Sequence, residues 1–109
     1  MLPYAQHAVV DPAKVRDYLL SVSHPVGRFK ATVFFALGYT TENWLVLRDD
    51  LLTLAHSARA TPGQSGPYGQ KFEVSGTLRG PSGRAAKITS VWLLPVGESV
   101  PRFITAYPG

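Results

Sequence analysis

The sequence predicts an α+β domain, with three N-terminal helices packed on a C-terminal antiparallel meander of three or four strands. Three observations carry that expectation. Apolar residues recur at three-to-four spacing before Arg59 and alternate with polar ones after Tyr68. Between the two regimes lies Thr61-Pro62-Gly63-Gln64-Ser65-Gly66-Pro67, where Pro and Gly interrupt either pattern. Close turn signals beyond it join successive strands as hairpins, and such a sheet takes its helices on one face. The chain has 109 residues, 45% of them hydrophobic, and a mean hydropathy of +0.02, enough for one domain with one core of ordinary size. The expected division is a single domain, helical over 1–60, a loop over 61–69 and sheet over 70–109.

Residues 1–10 fit a brief edge strand or an extended arm. Asp11-Pro12 is a helix start, with Asp as the cap and Pro in the first helical position. Val15, Tyr18, Leu19 and Val22 then set the inward face of about ten helical residues, ending near Ser21. Phe29, Val33, Phe34 and Leu37 set a second helix, stopped by Gly38 in the place of a left-handed cap. Thr40 or Thr41 caps a third, with Glu42 in its first turn; Trp44, Leu47, Leu51, Leu54, Ala55 and Ala58 line one face. In the sheet, Phe72, Val74 and Leu78 alternate with polar residues, and Gly80-Pro81-Ser82-Gly83 turns into a strand over 85–94. A longer connection over 95–101 leads to a last strand over 102–107. Phe72, Val74, Ile88, Trp92 and Ile104 are expected in the core, with Trp44 there as well.

Several function classes drop out. No run of 18 apolar residues exists, so no helical membrane span is expected, and residues 1–7 lack the regions of a signal peptide. The chain has no cysteine, which removes thiolate metal sites and fits a cytoplasmic location. His7, His24 and His56 have none of the paired spacings of zinc sites, and no cofactor or metal is expected. Walker, GxGxxG and GxSxG patterns are missing too.

What remains is cationic. Eleven Lys and Arg face seven acids, for a net charge of +4 and a pI near 9.7, which favours a polyanionic partner. No acid lies between Asp17 and Glu42 or between Glu73 and Glu98. The first gap holds Ser23-His24-Pro25-Val26-Gly27-Arg28-Phe29-Lys30-Ala31, a turn opening a helix. Helix N-termini attract anions already, so cations placed there suggest a phosphate or carboxylate site. The second gap holds Arg79, Arg84 and Lys87.

Metal-free RNA cleavage needs this inventory. The 2′-hydroxyl of the RNA attacks the adjoining phosphate, so the protein need only take a proton, give one and stabilise phosphoryl charge. His24 suits proton transfer and Arg28 and Lys30 suit a phosphate clamp. Thr105 and Tyr107 can complete the site from the last strand, while Arg84, Lys87, Ser90 and Arg102 would hold flanking RNA. Plainer roles exist for several: Tyr107 also fits as a packed aromatic, and Ser90 as an ordinary strand residue. A non-catalytic basic module that binds an acidic protein or nucleic acid is the alternative reading, and a structural domain of a phage or secretion assembly is a third.

The frame His24-Pro25-Val26-Gly27-Arg28-Phe29-Lys30-Ala31, with Leu37-Gly38-Tyr39, Tyr68-Gly69, Thr89-Ser90-Val91-Trp92 and the closing Thr105-Ala106-Tyr107-Pro108, resembles an uncharacterised bacterial toxin-like domain family over nearly the whole chain. The helices-then-sheet order and the last strand also resemble the barnase–EndoU–colicin–RelE group of metal-independent ribonucleases. The resemblance implies an endoribonuclease toxin with an RNA substrate, neutralised by a small antitoxin or immunity protein. Its distinctive turn falls on His24, Gly27, Arg28 and Lys30, and its last strand on Thr105 and Tyr107.

Overall fold

The computed structural model describes residues 2–21, 27–57 and 59–109, with 27–29 represented by their backbone. Among them the expected α+β order appears as three helices followed by a four-stranded antiparallel sheet in the order β1-β2-β3-β4. A 3₁₀ turn, Ala5–His7, precedes the helices. Val9 then makes a single parallel bridge to Arg102: Val9 N donates to Pro101 O at 2.9 Å, and Phe103 N donates to Val9 O at 3.0 Å. The arm is thereby fixed along the outer side of the last strand.

Helix α1 (Pro12–Lys14) starts as its sequence requires, with the Asp11 carboxylate accepting from Ala13 N at 2.9 Å. It does not run on as ten α-helical residues. Val15–Leu19 is a π-helical turn, in which Leu20 N donates to Val15 O at 3.0 Å. The wider turn lets Val15, Leu19 and Leu20 all enter the core and leaves Tyr18 half-buried at its border.

Helix α2 spans Gly27–Ala36. It ends as expected, with Gly38 at φ 99° and Tyr39 N donating back to Phe34 O at 3.1 Å. This end docks on the turn after the second strand, where Ser82 N donates to Leu37 O at 3.0 Å. A Cβ at Gly80 would strike the Leu37 carbonyl oxygen, so glycine is what allows the approach.

Helix α3 spans Trp44–Ser57 and buries Leu47, Leu51, Leu54 and Ala55. Its approach is a reciprocal pair, Asn43 N donating to Thr40 Oγ1 at 3.2 Å and Thr40 N to Asn43 Oδ1 at 2.6 Å. Glu42 therefore precedes the helix instead of lying in its first turn. Trp44 packs against the core as expected, but only half-buried at its border, with the guanidinium carbons of Arg16 and Arg48 at 5.8 and 5.9 Å from its ring.

The stretch expected as a loop over 61–69 is largely strand. β1 (Ala60–Gly66) pairs with β2 (Gly69–Arg79), which pairs with β3 (Ala85–Pro95) and then β4 (Arg102–Pro108). β1 is an edge strand whose side chains beyond Ala60 are exposed, so backbone pairing forms it without apolar alternation. An edge also tolerates Pro62 and the register shift before Ser65.

Val74, Leu78, Ile88, Trp92, Phe103 and Ala106 fill the sheet side of the core, with Phe72 packed against them. Trp92 meets Phe103 edge-on at 5.3 Å. Ile104 is the exception to the expected core. Val91 pairs with Thr105 and Trp92 with Phe103, so Ile104 is the extra residue of a β-bulge. The bulge turns Phe103 and Ala106 inward and leaves Ile104 half-buried, lining a cleft.

Candidate functional site

Three separate segments meet at one ammonium group. Lys30 Nζ, carried by α2, donates to Tyr18 Oη and to Thr105 Oγ1, each at 2.8 Å, and lies 5.1 Å from the centre of the Tyr18 ring. The π turn places Tyr18, the helix places Lys30, and the strand beyond the bulge places Thr105. Burial pushes the Tyr18 phenol up. Hydrogen bonds with Lys30 and Thr105 and the charges of Lys30 and Lys14 outweigh it and hold the pKa below the ordinary 10.0. The site thus joins a fixed ammonium to a phenol that ionises more readily than a free tyrosine.

A cleft of about 530 Å³ opens beside the cluster, lined by Asp11, Lys14, Asp17, Tyr18, Ile104 and Thr105, with Ala13. A hollow of about 170 Å³ shares Asp11, Lys14 and Ile104 with it and extends to Val9, Arg102 and Phe103. The wall is mixed: exposed cations at Lys14 and Arg102, apolar surface at Ile104, and carboxylates at Asp11 and Asp17.

The residues singled out in the sequence fall in different places. His24 lies outside the described residues, and Arg28 is described only as backbone of α2. Lys30 and Thr105 are in direct contact, so the end of the basic stretch and the last strand do meet. Tyr107 is half-buried and pairs with Thr89, two residues beyond Thr105 on the same sheet face. Lys87 is exposed on that face, which pairing extends to Gly109 N donating to Lys87 O at 2.9 Å.

Arg102 pairs across the sheet with Leu93 and borders the cleft. Arg84, in the turn before β3, is about 30 Å away at ~3.3 Å per strand residue. Those two cannot grip one phosphate. Ser90 is fully buried; it accepts from Trp92 Nε1 at 2.9 Å and donates to Val74 O at 3.0 Å, so its hydroxyl serves the core.

Tyr18 and Lys14 are the site residues that sequence reasoning missed. Tyr18 sits at an inward position of the first helix and reads as packing. The available signal was its hydroxyl, since a phenol at a core border needs a polar partner. Lys14 looked like an ordinary solvent-facing lysine.

The chain belongs to the family described as "Domain of unknown function (DUF6883)", which matches residues 1–109. Among solved structures it is similar to a chain of the "Contact-dependent growth inhibition toxin - immunity protein complex from Klebsiella pneumoniae 342". That match has 25% sequence identity and a TM-score of 0.74, and covers 93% of this chain and 99% of the other. No curated protein matches the chain. Among the described residues, no helix is long and apolar enough to cross a membrane.

Proposed function

We propose that this domain is the toxin of a toxin–immunity pair and that it cleaves RNA without a metal, through the RNA's own 2′-hydroxyl. The observation that carries the reading is the Lys30 ammonium fixed between Tyr18 and Thr105, two residues that line the cleft. The similarity to a chain of a growth-inhibition toxin–immunity complex, over nearly its whole length, supports the biological setting. A small immunity protein is then the expected protein partner.

In the proposed reaction the 2′-oxygen loses its proton and bonds to phosphorus. The bond from phosphorus to the 5′-oxygen breaks, and that oxygen takes up a proton. The products are a 2′,3′-cyclic phosphate and a 5′-hydroxyl. Lys30, joined by Arg28, stabilises charge on the phosphoryl oxygens. His24 and Tyr18 are the two proton-transfer groups, one to take and one to give. Thr105 orients Lys30, and Tyr107 and Lys87 continue the surface over which RNA leaves the site.

The test is incubation of the purified domain with RNA in EDTA, with the new ends analysed chemically. Cyclic phosphate ends that vanish in Lys30→Met and His24→Ala are expected. RNA left intact under all conditions, by a domain that still inhibits growth, would overturn the ribonuclease reading and keep the toxin reading.

A further inference from the structure

The cleft between α1 and β4 is larger than a phosphate clamp requires. Its volume of about 530 Å³ lies within the ~300–1,000 Å³ of small-molecule sites, and the adjoining hollow carries it on to Arg102. Two features distinguish it from an ordinary surface groove. Ile104 lies on its wall only because the bulge in β4 turns that side chain out of the core pattern, as bulges beside functional sites often do. The two cations bordering it, Lys14 and Arg102, come from segments 88 residues apart, brought together by the bridge between Val9 and Arg102.

We propose that this cleft is a nucleotide subsite, taking the RNA nucleotide that flanks the scissile phosphate, with its base against Ile104 and its phosphate between Lys14 and Arg102. The proposal rests on the reading of RNA as substrate, and Tyr18 and Thr105 join the subsite to the Lys30 cluster because they line both.

The carboxylates decide between a nucleotide and a bare anion. Asp17 is engaged by Arg16, whose Nε and Nη2 lie 2.9 and 3.0 Å from its two oxygens. Asp11 uses one oxygen to cap Ala13 N, which leaves the other as an acceptor. Asp11 lines the hollow beside Lys14 and Arg102, so any phosphate there meets its charge, and a bare phosphate has no amino donor to offset it. A nucleotide has amino donors on its base as well as a phosphate, and so can satisfy both kinds of wall. Arg102 is held to Glu98 at 3.2 Å in an exposed pair, weak enough for RNA to displace.

Binding can be read without cleavage by using 2′-O-methyl RNA, which lacks the attacking hydroxyl. Anisotropy titrations would compare a tetranucleotide with a dinucleotide over a range of salt. The wild-type protein should bind the tetranucleotide about tenfold more tightly. Lys14→Gln and Arg102→Gln should each weaken it by roughly five- to tenfold and reduce the salt slope by about 0.7, the share of one single-strand phosphate. Ile104→Ser should weaken it with the slope unchanged.

Lys14 and Arg102 are exposed, so both glutamine variants should keep the wild-type circular dichroism and melting curve. Equal affinity for the two oligonucleotides, or wild-type affinity in all three variants, would overturn the subsite. Binding that depends on these residues in a protein that cuts no RNA would uphold it, while sinking the ribonuclease reading.

Discussion

Lys30 reaches Tyr18 and Thr105 with one ammonium group, and replacing it removes charge without emptying the core. On the proposed ribonuclease reading, Lys30→Met should lower RNA cleavage by about 10²–10³, the usual effect of losing one fixed donor at a developing charge. Tyr18→Phe should lower it by about 10²–10⁴ if the phenol moves a proton. Measuring both rates beside urea midpoints separates catalysis from folding. The tyrosines also give a pH signature. Tyr18 is held below its ordinary 10.0, whereas burial and the Asp50 carboxylate, 2.6 Å away, push Tyr39 up.

In the window just below pH 10 the native state has lost the Tyr18 proton that the unfolded chain keeps, so Tyr18 makes stability rise with pH. Above pH 10 the native state keeps the Tyr39 proton that the unfolded chain has lost, so Tyr39 makes stability fall. Absorbance titration at 295 nm should lose a transition below pH 10 in Tyr18→Phe and one above pH 10 in Tyr39→Phe. The opposite order would contradict the electrostatic account of the site.

At the scale of single elements, the extra residue of β4 serves the cleft more than the sheet. Deleting Ile104 leaves Phe103 opposite Trp92 and Thr105 opposite Val91, so regular pairing resumes with Phe103 still inward and Thr105 still outward. The deletion variant should therefore keep a urea midpoint near that of the wild type, while the cleft loses its Ile104 wall. Trp92→Ala on β3 should cost ~3–5 kcal/mol by the same measurement, because the indole is fully buried and hydrogen-bonded to Ser90.

These elements differ in how far the chain announces them. α2 and α3 were legible from their period and from Gly38; β2 and β3 from alternation around a Gly-Pro-Ser-Gly turn. β1 was not, since an exposed edge strand has no apolar period to show. The bulge was not either, because only pairing with β3 creates it. Of the site, Lys30 and Thr105 were legible as chemistry, whereas Tyr18 was hidden by a spacing that equally describes packing.

For the molecule as a whole, the cations of the cleft and the expected protein partner belong to one argument. A partner that neutralises the domain by covering Lys14, Lys30 and Arg102 should be acidic at its contact surface and should compete with RNA. Its association should slow several-fold between low and physiological salt, and Lys14→Glu or Arg102→Glu should slow it further in stopped-flow measurements. Salt-insensitive binding centred on α3 would place the partner elsewhere.

The bond from Lys30 to Thr105 spans 75 positions of chain. Synthesis delivers the helices first, and they can begin to fold while the last strand is still inside the ribosome. Until Thr105 has emerged and β4 has paired, Lys30 lacks its anchor and the cleft lacks a wall. Assembly of the cluster is therefore timed by the emergence of β4, and a chain displaying only the helices would carry a Lys30 without its strand partner.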